Sequence, residues 1–147
     1  MLIDKAAIRR LIPHAGTMCL LDRVIAWDTT SIVCVTATHQ DTANPLRRQG
    51  RLAGLHAFEY GAQAAAIHGS LVASAAGQQA PPAYLAALRN AHLYVTYLDD
   101  IAVPLEVSAH WLTGERGNCI YQLSVSADAT VLAQGRVIII NRPETMI

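Results

Sequence analysis

Charged side chains are scarce in this sequence. Asp, Glu, Lys and Arg make up 15% of the 147 residues and hydrophobic residues 52%, whereas about 25% charge is usual for a globular domain. The formal net charge is zero, and no basic stripe with interleaved aromatic residues occurs, which argues against a nucleic-acid-binding surface. We expect part of the apolar surface to be covered in a subunit interface, and therefore an oligomer.

Cysteines are few as well. Cys19, Cys34 and Cys119 lie far apart and form no CxxC pair. An odd count without metal-ligand spacing is typical of small buried side chains in a reducing compartment. The first ten residues carry charges from Asp4 onward and contain no apolar signal-peptide core. We therefore expect a cytoplasmic protein.

Motifs for several common chemistries are also missing. The sequence contains no glycine-rich phosphate loop and no nucleophile elbow. His56 and Glu59 are three residues apart, but no second histidine stands at the spacing of a zinc-protease helix. We expect neither a bound metal nor a cofactor.

One long helix is predicted over residues 52–76, which contain nine alanines and three glycines. Such small side chains let strands approach closely, which suits a helix packed inside a sheet. The segment also contains His56, Glu59, Gln63 and His68, and alanine and glycine are only weakly hydrophobic. A buried helix is therefore favoured over a membrane span, and we expect no membrane association.

A short helix over residues 4–11 and about six antiparallel strands complete the predicted elements. Most strand segments alternate apolar and polar residues, whereas 131–140 is an apolar run, typical of a strand buried on both faces. The order of elements predicts a single α+β domain, residues 1–147, with the long helix packed against one curved sheet. The predicted strands are 20–27, 32–38, 84–95, 103–111, 119–125 and 131–140.

Three polar side chains of the long helix are candidates for chemistry. His56, Glu59 and Gln63 fall within an arc of roughly 60° on a helix that is otherwise mainly apolar. A carboxylate in such surroundings is costly unless it is paired or protonated. Glu59 could be a general acid/base whose pKa is raised by burial. Alternatively, it could lie on a half-exposed helix face or be tied to a nearby arginine.

The remaining histidines give weaker signals. His14 follows Pro13 in a short loop, where a structural or solvated histidine is the commoner case. His68 lies on another face of the helix than Glu59, and His110 has the polar parity of its strand. We expect both of these side chains at the surface.

Three arginines before the helix form the densest positive cluster of the sequence. Near a helix N-terminus, such a cluster could contact a phosphate or an acidic carrier protein. A solvated loop is the simpler interpretation. The three residues are Arg47, Arg48 and Arg51.

Two segments carry a family resemblance. Residues 11–15 read Leu-Ile-Pro-His-Ala and 20–24 read Leu-Leu-Asp-Arg-Val, while 54–63 begin with Gly and end in Glu-Tyr-Gly-Ala-Gln. The first resembles the "LPH…LLVDRV" motif of bacterial 3-hydroxyacyl-acyl-carrier-protein dehydratases, and the second resembles the "PGxxxxEAxAQ" start of their central helix. With Asn-Pro-Leu-Arg at 44–47, the chain is still more similar to the dehydratase-like proteins of aryl-polyene pigment clusters.

The resemblance implies a hotdog fold, in which a long helix is wrapped by an antiparallel sheet and two subunits form a dimer with continuous sheets. It also implies a tunnel for an acyl chain carried on acyl carrier protein or coenzyme A. In the family, a histidine of one subunit and a helix carboxylate of the other catalyse dehydration. Glu59 occupies the carboxylate position, and Gly54 and Leu55 would lie beside the thioester. Gln63 would orient Glu59 by a hydrogen bond.

The sequence departs from the family at the catalytic histidine. Where the family has a "GHFP" loop, this chain has Gln-Gly-Arg-Leu at 49–52. Arg51 therefore stands in the histidine's place, and an arginine cannot act as a base at neutral pH. Three alternatives remain open: His56 is the base, His14 is the base, or a partner hotdog subunit supplies the histidine.

Three functions follow. The first is a dehydratase that converts a 3-hydroxyacyl thioester into the trans-2-enoyl thioester. The second is an acyl thioesterase, which needs no such histidine. The third is a non-catalytic hotdog subunit that partners a catalytic dehydratase, as a homodimer without the histidine would be incomplete.

Overall fold

The computed structural model describes residues 2–78, 83–115 and 118–141, except for the side chains of His14, Thr17, 83–86 and Asn141. These described residues form two α-helices and six strands. The helices are α1 (Lys5–Leu11) and α2 (Ala57–Ala75). The strands are β1 (Arg23–Trp27), β2 (Ser31–Thr36), β3 (Ala83–Leu93), β4 (Leu105–Glu115), β5 (Asn118–Ala127) and β6 (Thr130–Asn141).

All six strands form one antiparallel sheet in the order β1-β2-β4-β5-β6-β3. Helix α2 packs against β2, β4, β5 and β6. The α+β class, the six strands and the helix packed on the sheet are therefore confirmed. In the described part of the chain, no helix has the length and apolar character needed to cross a membrane.

The small residues of α2 permit its close contact with the sheet. A Cβ at Gly61 would lie 2.6 Å from Cδ1 of Leu123 on β5, so even an alanine would not fit there without movement. The buried face of α2 also contains Ala57, Ala64 and Ala65. The packing that the alanine content predicted is therefore present.

The short helix α1 begins as its sequence suggests. Asp4 caps it, and its carboxylate accepts a hydrogen bond of 2.9 Å from the backbone N–H of Ala7. Such caps satisfy a donor that the helix itself leaves free. Arg9 and Arg10 lie in the last turn, where positive charge interacts favourably with the helix dipole.

The segment from 131 to 140 is not buried on both faces, contrary to the prediction. Along β6, Ala133, Val137 and Ile139 are buried, whereas Arg136 and Ile140 are exposed. One face of the sheet contacts α2 and the other is not covered by any described element of this chain. A mainly apolar segment fits either situation, so composition alone could not distinguish them.

The cysteines are free thiols. Cys19 and Cys34 are buried, as predicted, and Cys119 is half-buried. Burial raises the pKa of the Cys34 thiol to about 12. A thiol in that state is a packing group rather than a nucleophile.

Candidate functional site

The start of the long helix is not helical where the sequence predicted it. Residues 52–53 are extended: Ala53 pairs with Tyr97, and Leu52 accepts a hydrogen bond of 2.8 Å from Leu98 N–H. A 3₁₀ turn over Gly54–His56 then leads into α2. Pairing with the chain after β3 therefore outweighs the helical preference of this segment.

Gly54 lies where two backbone segments touch. Its N–H donates a hydrogen bond of 2.7 Å to the carbonyl of Thr96. A Cβ at this position would lie 2.1 Å from the carbonyl oxygen of Val95. Only glycine allows this approach, so Gly54 fixes the helix start against the end of β3.

A cleft of about 570 Å³ opens between these two segments. We call it the helix-start cleft. Its walls are mainly apolar, and the Leu55 and Tyr94 side chains are 62% and 60% exposed. The cleft is open to solvent in the single chain. It is lined by Ala53, Gly54, Leu55, Leu93, Tyr94, Val95 and Thr96.

Glu59 is exposed in the first turn of α2. The burial assumed for it in the sequence is therefore absent in the single chain, because the apolar side chains of α2 point to the opposite face. Within the described residues, its carboxylate forms no hydrogen bond or ion pair. The alternative of a half-exposed helix face is the one observed.

His56 lies three residues before Glu59, in the 3₁₀ turn, and its side chain is half-buried. Side chains three apart on a helix are neighbours, with Cβ atoms about 5–6 Å apart. No hydrogen bond of the imidazole to another described residue is present. Helical spacing therefore places the two side chains next to each other, and neither has a hydrogen-bond partner among the described residues.

Gln63 does not bond Glu59. Its side-chain oxygen accepts a hydrogen bond of 2.8 Å from Leu20 N–H, and its amide N–H donates to the carbonyl of Met18. Both ends of the amide therefore hold the segment 18–20 against α2. This is the segment between the two halves of the N-terminal motif.

The arginine cluster is largely used within the chain. Arg47 donates to the carbonyls of Asp41, Gly50 and His39 at 2.9, 2.9 and 3.1 Å. Arg48 is exposed and hydrogen-bonds local carbonyls. The solvated-loop interpretation therefore holds only for Arg48.

Arg51 is held by two carboxylates and an aromatic ring. Its guanidinium contacts Asp99 at 2.8 Å and Asp100 at 2.7 Å, and it lies 3.8 Å from the ring centroid of Tyr97. The hydrogen bond that Arg51 donates to the Asp99 carboxylate raises the pKa of Arg51 further above its ordinary value. Arg51 thus anchors the loop at 98–100 and takes no part as a base.

The side chain of His14 lies outside the described residues. Its backbone belongs to the 3₁₀ segment Pro13–Met18, which is kinked at Gly16. The alternative in which His14 is the base therefore stays a prediction.

His68 is buried, which corrects the prediction of a surface position. Its Nε2 lies 2.9 Å from the carbonyl oxygen of Asp28 and must donate to it, so Nδ1 accepts the hydrogen bond of 2.7 Å from the Tyr121 hydroxyl. Burial lowers the pKa of His68. The partner Tyr121 belongs to β5, and nothing in the sequence of the helix indicated this contact. His110 is exposed, as predicted.

The sequence also gave no sign of a buried polar network below Glu59. The Tyr60 hydroxyl contacts Thr38 Oγ1 at 2.9 Å and accepts from Asn44 Nδ2 at 3.0 Å. Thr38 in turn donates to the carbonyl of Leu20 at 2.6 Å. Because Tyr60 follows Glu59 directly, this network fixes the helix rotation that presents Glu59 outward.

Metal binding finds no support in the described ranges. There, no group of three His, Cys, Asp or Glu side chains is placed to hold a metal ion. The ligand geometry thus gives no reason to assign a metal to the Glu59 region.

A family model described as ApeP-like (ApeP dehydratase) matches residues 6–146. No curated protein matches the sequence significantly. Among solved structures, the dehydratase heterocomplex ApeI:P from Xenorhabdus doucetiae matches with a TM-score of 0.84 and 22% identity, over 93% of this chain and 91% of that chain.

Two further structures share the fold at greater distance. A mutant thioesterase from Pseudomonas aeruginosa matches with a TM-score of 0.63 and 13% identity, over 94% of this chain and 93% of the other. The protein AziG of S. sahachiroi matches with a TM-score of 0.59 and 14% identity, over 88% and 94%. At such identities the likeness shows a common fold.

Proposed function

This chain belongs to the ApeP-like dehydratase family, and on that premise we propose that it removes water from 3-hydroxyacyl thioesters to give trans-2-enoyl thioesters. Glu59 is the acid of this reaction. The acyl group is carried on acyl carrier protein or coenzyme A and enters the helix-start cleft. One observation carries the proposal: an unpaired, exposed carboxylate lies in the first turn of α2, close in sequence to the residues of an apolar cleft.

The reaction requires two groups at neighbouring carbons. A base removes a proton from C2, the C2=C3 double bond forms, and the C3–O bond breaks as Glu59 donates a proton to the leaving hydroxyl, which departs as water. The first N–H groups of a helix have no intrahelical acceptor and carry partial positive charge. At the start of the α2 segment, the N–H groups of Gly54, His56 and Ala57 are already hydrogen-bonded, whereas that of Leu55 has no acceptor among the described residues. The Leu55 N–H would polarise the thioester carbonyl as negative charge develops on its oxygen.

Among the histidines whose side chains the structure describes, His56 is the one best placed to be the base. It is adjacent to Glu59 on the helix surface, and its imidazole has no partner among the described side chains. Arg51 cannot replace it, because its guanidinium stays protonated and is engaged by Asp99 and Asp100. Gly54 and Leu55, which line the cleft, directly precede His56 in the sequence.

A second candidate function is a subunit that completes its site only with another hotdog protein. Two observations favour it: Arg51 is fixed in ion pairs at the position of the family histidine, and the structure is similar to one chain of a dehydratase heterocomplex. In this case Glu59 comes from this chain and the histidine from its partner. The assembly is then a heterodimer rather than a homodimer.

The test is the dehydration of a short 3-hydroxyacyl thioester, followed by the ultraviolet absorption of the enoyl product. We expect Glu59→Gln to lower kcat by at least about 100-fold, since a general acid contributes roughly 10²–10⁴. Glu106→Gln is the matched control, because Glu106 on β4 is also an exposed glutamate. Undiminished turnover in Glu59→Gln would refute the catalytic role.

The same assay separates the remaining alternatives. Loss of turnover in His56→Gln would identify the base within this chain. Activity that appears only after addition of a second hotdog subunit, in well-folded protein, would favour the second candidate. Release of free thiol, detected with a thiol reagent, would instead indicate a thioesterase.

A further inference from the structure

The two edges of the sheet differ in whether they are covered. At the β1 edge, Ile3 and Val24 exchange backbone hydrogen bonds of 3.0 and 2.9 Å, so the N-terminal segment occupies part of that edge. At the other end, β3 pairs with β6 on one side only. No described segment pairs with its outer side. Unpaired strand edges of this kind are templates for pairing with another chain.

Two arginines stand side by side next to this free edge. Arg89 on β3 is directly opposite Arg136 on β6, and both are exposed. Both arginine side chains point away from α2, because the two residues that flank Arg136 along the strand, Gly135 and Val137, are buried. Arg136 Nε contacts Gln122 Oε1 at 3.4 Å, but neither guanidinium forms an ion pair with a carboxylate of the described chain. Like charges directly opposite in a sheet destabilise the pairing.

A second copy of this chain would make the repulsion worse. In the antiparallel pairing of two β3 strands with the fullest overlap, the middle residue Leu88 lies opposite its own copy. Arg89 then lies diagonal to Arg89 of the second copy, about 7–8 Å away on the same face. The Arg89–Arg136 pairs of the two copies would then lie two residues apart on the same face of the joined sheets, which brings four guanidinium groups together. A strand with an aspartate or glutamate at this place would instead neutralise this cluster.

We infer that the β3 edge selects, through Arg89 and Arg136, the edge strand of a second hotdog subunit that carries a carboxylate beside Arg89, and disfavours a second copy of this chain. The inference deepens the heteromeric version of the proposed function and rests on it for the kind of partner. It does not depend on catalysis, since it concerns only which strand the edge accepts.

Charge reversal tests the inference without knowledge of the natural partner. Wild-type chain is mixed with a mass-labelled Arg89→Glu chain, and the dimers are counted by native mass spectrometry at low salt. We expect the mixed dimer to exceed random pairing by about fivefold, which is the size of one cross-strand charge contact. At about 1 M salt, where charges are screened within a few ångströms, the excess should vanish.

Three further variants sharpen the result. Arg89→Gln, which removes the charge without reversing it, should give a smaller excess, and Arg9→Glu, the same reversal on α1, should give none. Arg136→Glu provides an independent reversal if Arg89→Glu does not fold, as judged by circular dichroism. Random pairing in every mixture, or monomers throughout, would overturn the inference. Because dimers are counted directly, this outcome is separate from any failure of the dehydratase assay.

Discussion

At the scale of single residues, Gly54 matters because of what lies against it rather than because of flexibility. Its backbone φ is ordinary, but the carbonyl of Val95 occupies the space that a side chain would need. The helix start can therefore approach Thr96 closely enough for a hydrogen bond only if residue 54 has no side chain. The same contact forms one wall of the helix-start cleft.

Gly54→Ala should therefore lower the free energy of unfolding by about 1–3 kcal/mol, as expected for overpacking. Gly69→Ala is the matched control: this glycine lies inside α2 and a Cβ there meets nothing within 4 Å. Alanine at 69 should stabilise the protein by roughly 0.5–1 kcal/mol through helix propensity. Urea denaturation measures both changes, and equal effects at the two positions would contradict the packing argument.

At the scale of elements, the start of α2 is fastened to the 3₁₀ turn Leu98–Asp100. Asp99 makes the main contacts between them: its carboxylate accepts hydrogen bonds of 2.8 Å from Leu52 N–H and from Arg51 Nε. Burial opposes its ionisation, but these two donors outweigh it and lower the pKa of Asp99 below its usual value. Among the described residues, the Asp100 carboxylate contacts Arg51 alone, and its side chain is 64% exposed against 13% for Asp99.

We expect Asp99→Ala to cost about 1–2 kcal/mol, because Leu52 N–H loses its acceptor in a partly buried place. Asp100→Ala should cost about 0.5 kcal/mol or less, as is usual for an exposed ion pair. Chemical denaturation of the two variants under identical conditions is the measurement. A larger effect at Asp100 would contradict the main role that these contacts give to Asp99.

At the scale of the whole molecule, two buried histidines couple stability to pH. His39 Nε2 faces the carbonyls of Ile101 and Val103 at 3.0 Å, and its buried Nδ1 has no partner among the described residues. Burial lowers the pKa of His39 and of His68 below the ordinary 6.5, more than their hydrogen bonds raise it. Protonation therefore favours the unfolded chain.

The free energy of unfolding should therefore decrease as the pH falls below about 6.5. Above about pH 6.5 both states hold neutral imidazole and stability is complete, and it falls as the pH decreases from 6.5 toward the lowered folded-state pKa values. Each histidine contributes at most about 1.4 kcal/mol per pH unit. Thermal unfolding between pH 7.5 and 5.5 should show this decline. The decline should be shallower in His68→Gln and unchanged in His92→Gln, where the histidine is exposed.

The sequence by itself determined the elements, because their signals are local. Asp4 caps α1 in the structure, alternation placed β4 and β5, and alanine and glycine content predicted how α2 meets the sheet. The positions of His56 and Glu59 on one side of the helix start also follow from helical spacing alone. Their catalytic roles stay predictions, which the enoyl assay tests.

The tertiary structure decided whatever depends on residues distant in the chain. Leu52 lies outside the helix because Leu98 N–H and the Asp99 carboxylate hydrogen-bond to its backbone. His68 is buried because its two ring nitrogens hydrogen-bond to the Tyr121 hydroxyl and the Asp28 carbonyl. Gln63 likewise binds segment 18–20 instead of its helical neighbour Glu59. A periodic pattern records which face of an element is apolar, but not which distant polar group will satisfy a side chain. That choice is made when the chain packs, since each buried donor or acceptor must find a partner there.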